Sequence, residues 1–253
     1  MKYTTWKNNQ EIMAGTVLRN PDMPEYGNLA LHVGGDLEKV IENRLALSND
    51  LGISLNEWVL PQQTHSDHLV EVTSADKGKG AFTYESGIAD CDALYTRESG
   101  ILLGVMHADC VPVLLYDEAN GIIAAIHSGW QGTVKEITSK VVRELIEKEG
   151  CDPKHLLAYI GASIAFNSFE VGEDVISKVK AMSFDTTPFI AYKENGKALV
   201  DNKGLNKQML LDLGVSPENI SIDKNDTFTA NESFFSFRRD QNCGRHLSFI
   251  TKK

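Results

Sequence analysis

The sequence predicts a mixed α+β fold. Short, β-branched apolar runs bounded by turn residues read as strands, and two longer amphipathic stretches with capping residues read as helices. Their irregular order argues against a regular βαβ series. Met13–Leu18 and Leu29–Val33 are the first strand candidates. Asp36 then caps a helix through about Leu51, with Leu37, Val40, Ile41, Leu45 and Leu47 at broadly helical spacing and Gly52 ending it. Trp58–Leu60 and Leu69–Val72 read as strands on either side of His65. Three apolar runs follow, Ile101–Met106, Val111–Tyr116 and Ile122–Ile126, with Asp117, Asn120 and Gly121 as turn residues between the last two. A second helix spans about Thr133 to Glu149, where Val134, Ile137, Val141, Val142, Leu145 and Ile146 form one apolar face and Gly150 ends it. Leu156–Ile160, Ile220–Ile222 and His246–Ile250 are later strands, with helices near Glu173–Met182 and Leu205–Leu213. No low-complexity linker or repeat divides the chain, so residues 1–253 read as a single domain.

Composition narrows the function classes. With 253 residues, 42% of them hydrophobic, the chain can bury a substantial core. A net charge of −10 argues against general affinity for nucleic acid or an anionic membrane surface. The opening residues MKYTTWKNNQEIMAG hold no signal-like apolar run, and no later stretch reaches the roughly 18–20 apolar residues of a membrane span. A cytoplasmic protein is expected. The four cysteines, Cys91, Cys110, Cys151 and Cys243, are widely separated, which in a reducing compartment points to free thiols or a metal ligand.

Chemistry concentrates at strand ends. His65 lies in QQTHSDH, Cys110 in HADC and His127 in IHSGW. Two imidazoles and a thiolate suit Zn²⁺ and leave a fourth position open for water or substrate. The spacings of 45 and 17 residues match no compact zinc-finger rule, so spacing alone favours two surface histidines and a buried cysteine over a metal site. Ser128, Gly129, Gln131, Gly132 and Thr133 run from a strand into a helix, where unpaired N–H groups favour an anion or where glycines simply make a tight turn. Arg44 and Arg238 offer guanidinium groups for phosphate, and Trp130 offers a ring for stacking or for the core.

The segments NLALHVGGDLEKVIENR, QQTHSDHLV, CDALYTRESGILLGVMHADCVPVLLYD, AAIHSGWQGT and FFSFRRDQNCGRHLSFI occur here in that order. They resemble, in the same order, the YlmD/YfiH family, also called the laccase-domain or polyphenol oxidoreductase family and regarded as purine nucleoside phosphorylases. The resemblance covers about Gly15 to Ile250. It implies layered mixed β-sheets flanked by helices (α/β/β/α) and a metal held by His65, Cys110 and His127. It further implies phosphorolysis of adenosine, inosine, guanosine and methylthioadenosine, with adenosine deamination in some members. Purine nucleoside and phosphate are then the partners, and Zn²⁺ the cofactor with Cu²⁺ as the alternative. Asp109, beside His107, is a candidate to move protons, and Asn28 and Gln63 match family positions beside the pocket.

The chain departs from the family pattern at several places. Ala162 replaces a proline, Asn167, Ser168 and Phe169 replace a Cys-Cys-Tyr run, Asp226 replaces a cysteine and Phe237 a tyrosine. None of these removes an expected ligand. Three other readings compete. A copper-dependent polyphenol oxidase needs many histidines for a trinuclear cluster, and seven without any H-x-H pair do not supply them, although Met106 offers an axial ligand for a single copper. Cys110 and His127 also suit a Cys-His hydrolase, and the family's fold resembles that of bacterial toxin deamidases with such a pair. A non-enzymatic zinc-stabilised interaction module requires a closed fourth ligand, for which His107 or His68 is available.

Overall fold

The computed structural model describes residues 1–253. Two mixed sheets stack face to face, with helices on both outer sides. The first has the order β1 (Tyr3–Asn8), β2 (Ile12–Val17), β14 (His246–Lys252), β6 (Ile101–His107), β3 (Trp58–Val59), antiparallel except for β3 against β6. The second has the order β13 (Ile220–Ile222), β9 (Leu157–Ile160), β7 (Val111–Asp117), β8 (Ile122–Ser128), β5 (Ala93–Thr96), β4 (Leu69–Glu71), antiparallel at its centre and parallel at both margins. A small third sheet joins β10 (Glu170–Val171), β12 (Ala198–Val200) and β11 (Ile190–Tyr192).

The three long apolar runs are continuous because both faces of each strand are buried. Along β6, Ile101, Leu103 and Val105 point between the sheets, while Leu102 and Met106 point to the outer layer under α1 (Leu37–Leu51). Along β7, Leu114 and Tyr116 face the other sheet, and Val113 and Leu115 face α3 (Ile137–Glu147). That helix contributes Ile137, Val141, Val142 and Leu145 to the outer layer, each such burial stabilising by about 1.5–3 kcal/mol. The α/β/β/α layering is the architecture expected from the resemblance. No helix is long and apolar enough to cross a membrane.

Local outcomes differ from the sequence expectations in four places. Leu29–Val33 is not a strand. The Asn28 side chain bonds both the N–H and the C=O of Ala30, and the Leu29 carbonyl accepts from Arg44, so this backbone is satisfied without a ladder. Helix α1 starts and stops as expected, with Asp36 accepting from the Glu38 N–H and Gly52 left-handed at φ 68°. However, it buries Asn43, Arg44 and Ser48 beside Val40, Leu47 and Leu51, while Leu37 and Leu45 are exposed. The helix expected from Thr133 is two, α2 (Trp130–Val134) and α3, broken where Glu136 turns left-handed and its carboxylate takes the Ser183 N–H and hydroxyl. Strands β1 and β5 and the small sheet had no counterpart in the sequence reading. The two later helices form as α4 (Glu173–Lys180) and α5 (Asn202–Asp212).

Candidate metal centre

Strand register brings the ligands together. In the β7–β8 hairpin Val111 pairs with Ser128 and Pro112 with His127, so one step further Cys110 stands opposite Gly129. Cys110 ends the short link that carries the chain from β6 in one sheet to β7 in the other. On the other side of β8, Ala93 pairs with Ile126, which sets Asp92 beside His127. His65 is presented by the irregular segment between β3 and β4 and is itself left-handed, at φ 59°.

The Cys110 Sγ lies 3.9 Å from His65 Nε2, and one ligand atom from each of His65, Cys110 and His127 lies within 4.8 Å of the others. A tetrahedral zinc, about 2.0–2.1 Å from nitrogen and about 2.3 Å from sulfur, needs donor atoms roughly 3.3–3.7 Å apart, which small side-chain rotations supply. A methyl group at position 129 would lie 2.8 Å from His65 Cδ2 and 3.0 Å from Cys110 Sγ. Glycine there lets the backbone pass against both ligands, which is a different reason for it from a tight turn alone.

Asp92 organises the centre, and the sequence reading did not single it out. Fully buried, it accepts the His127 Nδ1–H at 2.8 Å, which fixes the tautomer that leaves Nε2 free to ligate. The same carboxylate accepts the N–H groups of Thr64 at 3.1 Å, His65 at 3.2 Å and Ser66 at 2.7 Å, and so holds the segment that presents His65. Burial alone would raise its pKa, but the bonds from His127 and Ser66 outweigh that and lower it to about 2. In the metal-free protein burial also works against charge on Cys110 and His127. Their mutual attraction wins, with His65 adding to it at Cys110 and Asp92 at His127, so the thiol falls to about 6 and the imidazole rises to about 9. A thiolate poised at neutral pH and an imidazole whose Nδ1 is committed to Asp92, so that Nε2 can ligate once its proton is displaced, form a fitting donor set for zinc.

The centre opens on a cleft of about 520 Å³, within the usual range for a small-molecule site. His65, Asp109 and Cys110 form its floor, with Trp130, Ile164, Phe169, Phe237 and Arg238 among its walls. Arg238 gives one N–H to the Glu170 carbonyl and lies 5.5 Å over the Phe169 ring. Trp130 carries the Lys178 ammonium 5.1 Å over its ring.

The remaining sequence candidates lie elsewhere. The Arg44 guanidinium is buried and bonded to the carbonyls of Leu29, Gly80 and Ala81 at 2.7 Å each. Gln63 clamps both main-chain groups of Met106 at 2.7 Å. The buried Asn28 accepts from the N–H groups of Ala30 and Arg245 and borders a different hollow. His107 bonds Ser248 at 2.8 Å and is held well below its usual pKa, by burial first and by His246 second. His68 is exposed and bonds Asp90, and Met106 packs into the apolar layer under α1. None of these joins the trio, which leaves its fourth side to the cleft. The Ser128 hydroxyl is buried against Thr133 at 2.9 Å, and Gly129 caps the short helix α2, whose first-turn N–H groups take no side-chain cap and whose Trp130 and Gln131 line the cleft.

Two stacked mixed sheets with an open His₂Cys trio where the chain crosses between them define a protein built around an accessible metal-ligand set. The chain belongs to the family described as multi-copper polyphenol oxidoreductase laccase, whose pattern matches residues 18–253. It is 35% identical, over 98% of its length and 91% of the relative's, to a Bacillus subtilis protein named purine nucleoside phosphorylase YlmD. It is 36% identical, over 89% of its length and 87% of the relative's, to a protein from an unknown prokaryotic organism named adenosine deaminase RL5. The crystal structure of YlmD from Geobacillus stearothermophilus superposes with a TM-score of 0.92 at 30% identity, covering 96% of this chain and 92% of that one.

Proposed function

We propose that the chain is a zinc-dependent purine nucleoside phosphorylase of the cytoplasm, acting on adenosine, inosine, guanosine and methylthioadenosine, with residues 1–253 working as one unit. The observation that carries this reading is the open fourth side of the His65–Cys110–His127 trio on a cleft with aromatic walls. A zinc ion bound there supplies a Lewis acid that polarises an oxygen of phosphate or water. Phe169, Phe237 and Trp130 offer the base apolar and stacking surface. Arg238, with only one N–H engaged by a carbonyl, offers the rest to an anion. In phosphorolysis a phosphate oxygen forms a bond to the anomeric carbon while the bond to the purine nitrogen breaks, and the base leaves with the electron pair and takes up a proton. Asp92 keeps His127 in one tautomer through this and does not touch the substrate.

Adenosine deamination is the second activity of the same cleft, favoured by the relative named adenosine deaminase. A copper oxidase reading is not supported by a single His₂Cys set, and a Cys-His hydrolase would need the Cys110 thiolate free of metal. The test is chromatographic analysis of products from metal-analysed protein given adenosine with and without phosphate. Adenine plus ribose 1-phosphate supports phosphorolysis and inosine supports deamination. Absence of all three products overturns the reading.

A further inference from the structure

Three walls of the cleft meet at a residue that is not among the candidate metal ligands. Asp109 immediately precedes Cys110 and is left-handed, at φ 80°. Such a conformation costs a non-glycine residue on the order of 1 kcal/mol or more, and aspartate is among the residues that tolerate it. Its main-chain carbonyl accepts the Ile164 N–H at 3.0 Å, which ties down one wall. Its carboxylate accepts the Thr227 hydroxyl at 2.6 Å, the Ser236 hydroxyl at 3.0 Å and the Arg238 N–H at 2.7 Å, which ties down another. The third is the Cys110 side itself.

Those three donors belong to residues 223–245, which connect β13 to β14 with no helix or strand of their own. This segment carries Phe237 and Arg238 into the cleft. Thr227 and Ser236 are fully buried, so their bonds to the carboxylate are shielded from water. A carboxylate has about four acceptor positions, and three here are engaged. The group is bound as an anchor, with little acceptor capacity left for exchanging protons with a substrate.

We propose that Asp109 is a positioning residue that fixes the Phe237–Arg238 wall relative to Cys110, and so sets how tightly the substrate is held, without itself transferring protons. The inference rests on the cleft being the nucleoside site proposed above. Asp109→Asn keeps the side-chain shape and the tolerance for a left-handed backbone but removes the charge and turns one acceptor into a donor. The paired change Thr227→Val with Ser236→Ala removes two donors from the far side and leaves position 109 intact.

Both variants are to be compared with the parent protein by hydrogen exchange at amides 227–238, by zinc content, and by separate kcat and KM values for adenosine. Loss of the bonds to the carboxylate predicts about tenfold faster exchange in that segment and an about tenfold higher KM, with kcat and zinc content near parental values. Thr227→Ser in place of Thr227→Val restores the hydroxyl and should return both values toward the parent. Asp109→Asn losing about a hundredfold in kcat with segment exchange unchanged would identify a proton-transfer group and overturn the proposal. So would the paired variant leaving both exchange and KM unchanged. Should Asp109→Asn fail to fold, the paired variant decides alone. Should the parent turn over no nucleoside, the functional reading falls, and hydrogen exchange still decides whether Asp109 anchors the segment.

Discussion

The β7–β8 rim and segment 223–245 border the same cleft and are built by opposite means. The rim is placed by strand pairing, where the alignment of Pro112 with His127 and of Ala93 with Ile126 leaves Cys110 and Asp92 on either side of one imidazole. The segment has only one isolated bridge, Asp226 with Ser163, and a few main-chain bonds, and is otherwise held by side chains, with Asp109 bonding Thr227, Ser236 and Arg238, Asp226 bonding Ala165, Ser168 and Phe228, and Lys203 bonding the carbonyls of Asp223 and Asn225. A ladder ties ligand geometry to the core, whereas side-chain latches can be altered one at a time. The rim should therefore respond to substitution through the metal, and the segment through local order.

The strongest break is Cys110→Ser. It should abolish zinc binding and nucleoside turnover together, seen by elemental analysis and a product assay, and a variant that keeps full activity without metal would sever the rim from function. Next in size is the effect of pH. Because His127 is held at about 9 in the metal-free protein, zinc must displace its proton at pH 7, while the thiol, held at about 6, has already lost its own. Zinc affinity should thus rise about tenfold per pH unit from pH 7 to near pH 9 and then level off, as chelator competition would measure. Asp92→Ala frees the His127 ring and the His65 segment at once, and should weaken zinc binding about 10–100-fold in the same competition assay. The smallest effect is expected where the 164–169 stretch latches onto the segment. Ser168→Ala removes one bond to Asp226 and should cost about 1 kcal/mol or less in a denaturant titration, with zinc content unchanged.

How much of this was legible in the sequence follows the same division. Strands β6, β7 and β8 were readable because burial on both faces leaves unbroken apolar runs. The trio stood out because histidines are few and its motifs resembled a known family. Asp92 was hidden in CDALYT, since nothing short of the strand alignment sets it beside His127. Arg44 suits phosphate on paper because a guanidinium matches it in a two-pronged way, yet here the group caps three carbonyls in the interior. The same buried polar contacts turned the inner face of α1 away from Leu37 and Leu45, which hydropathy alone had pointed inward. Two of the departures from the family pattern, Ser168 and Asp226, bond each other at 2.6 Å, a pairing that only proximity in space reveals.

The central strands β6, β7 and β8 have no side turned to solvent. Evolution or a protein engineer cannot retune what the cleft admits by editing them, because every such change is felt in one apolar layer or another. Freedom to diversify is left to the exposed wall positions such as Phe237 and Arg238, which stand over a floor of candidate metal ligands that stays the same.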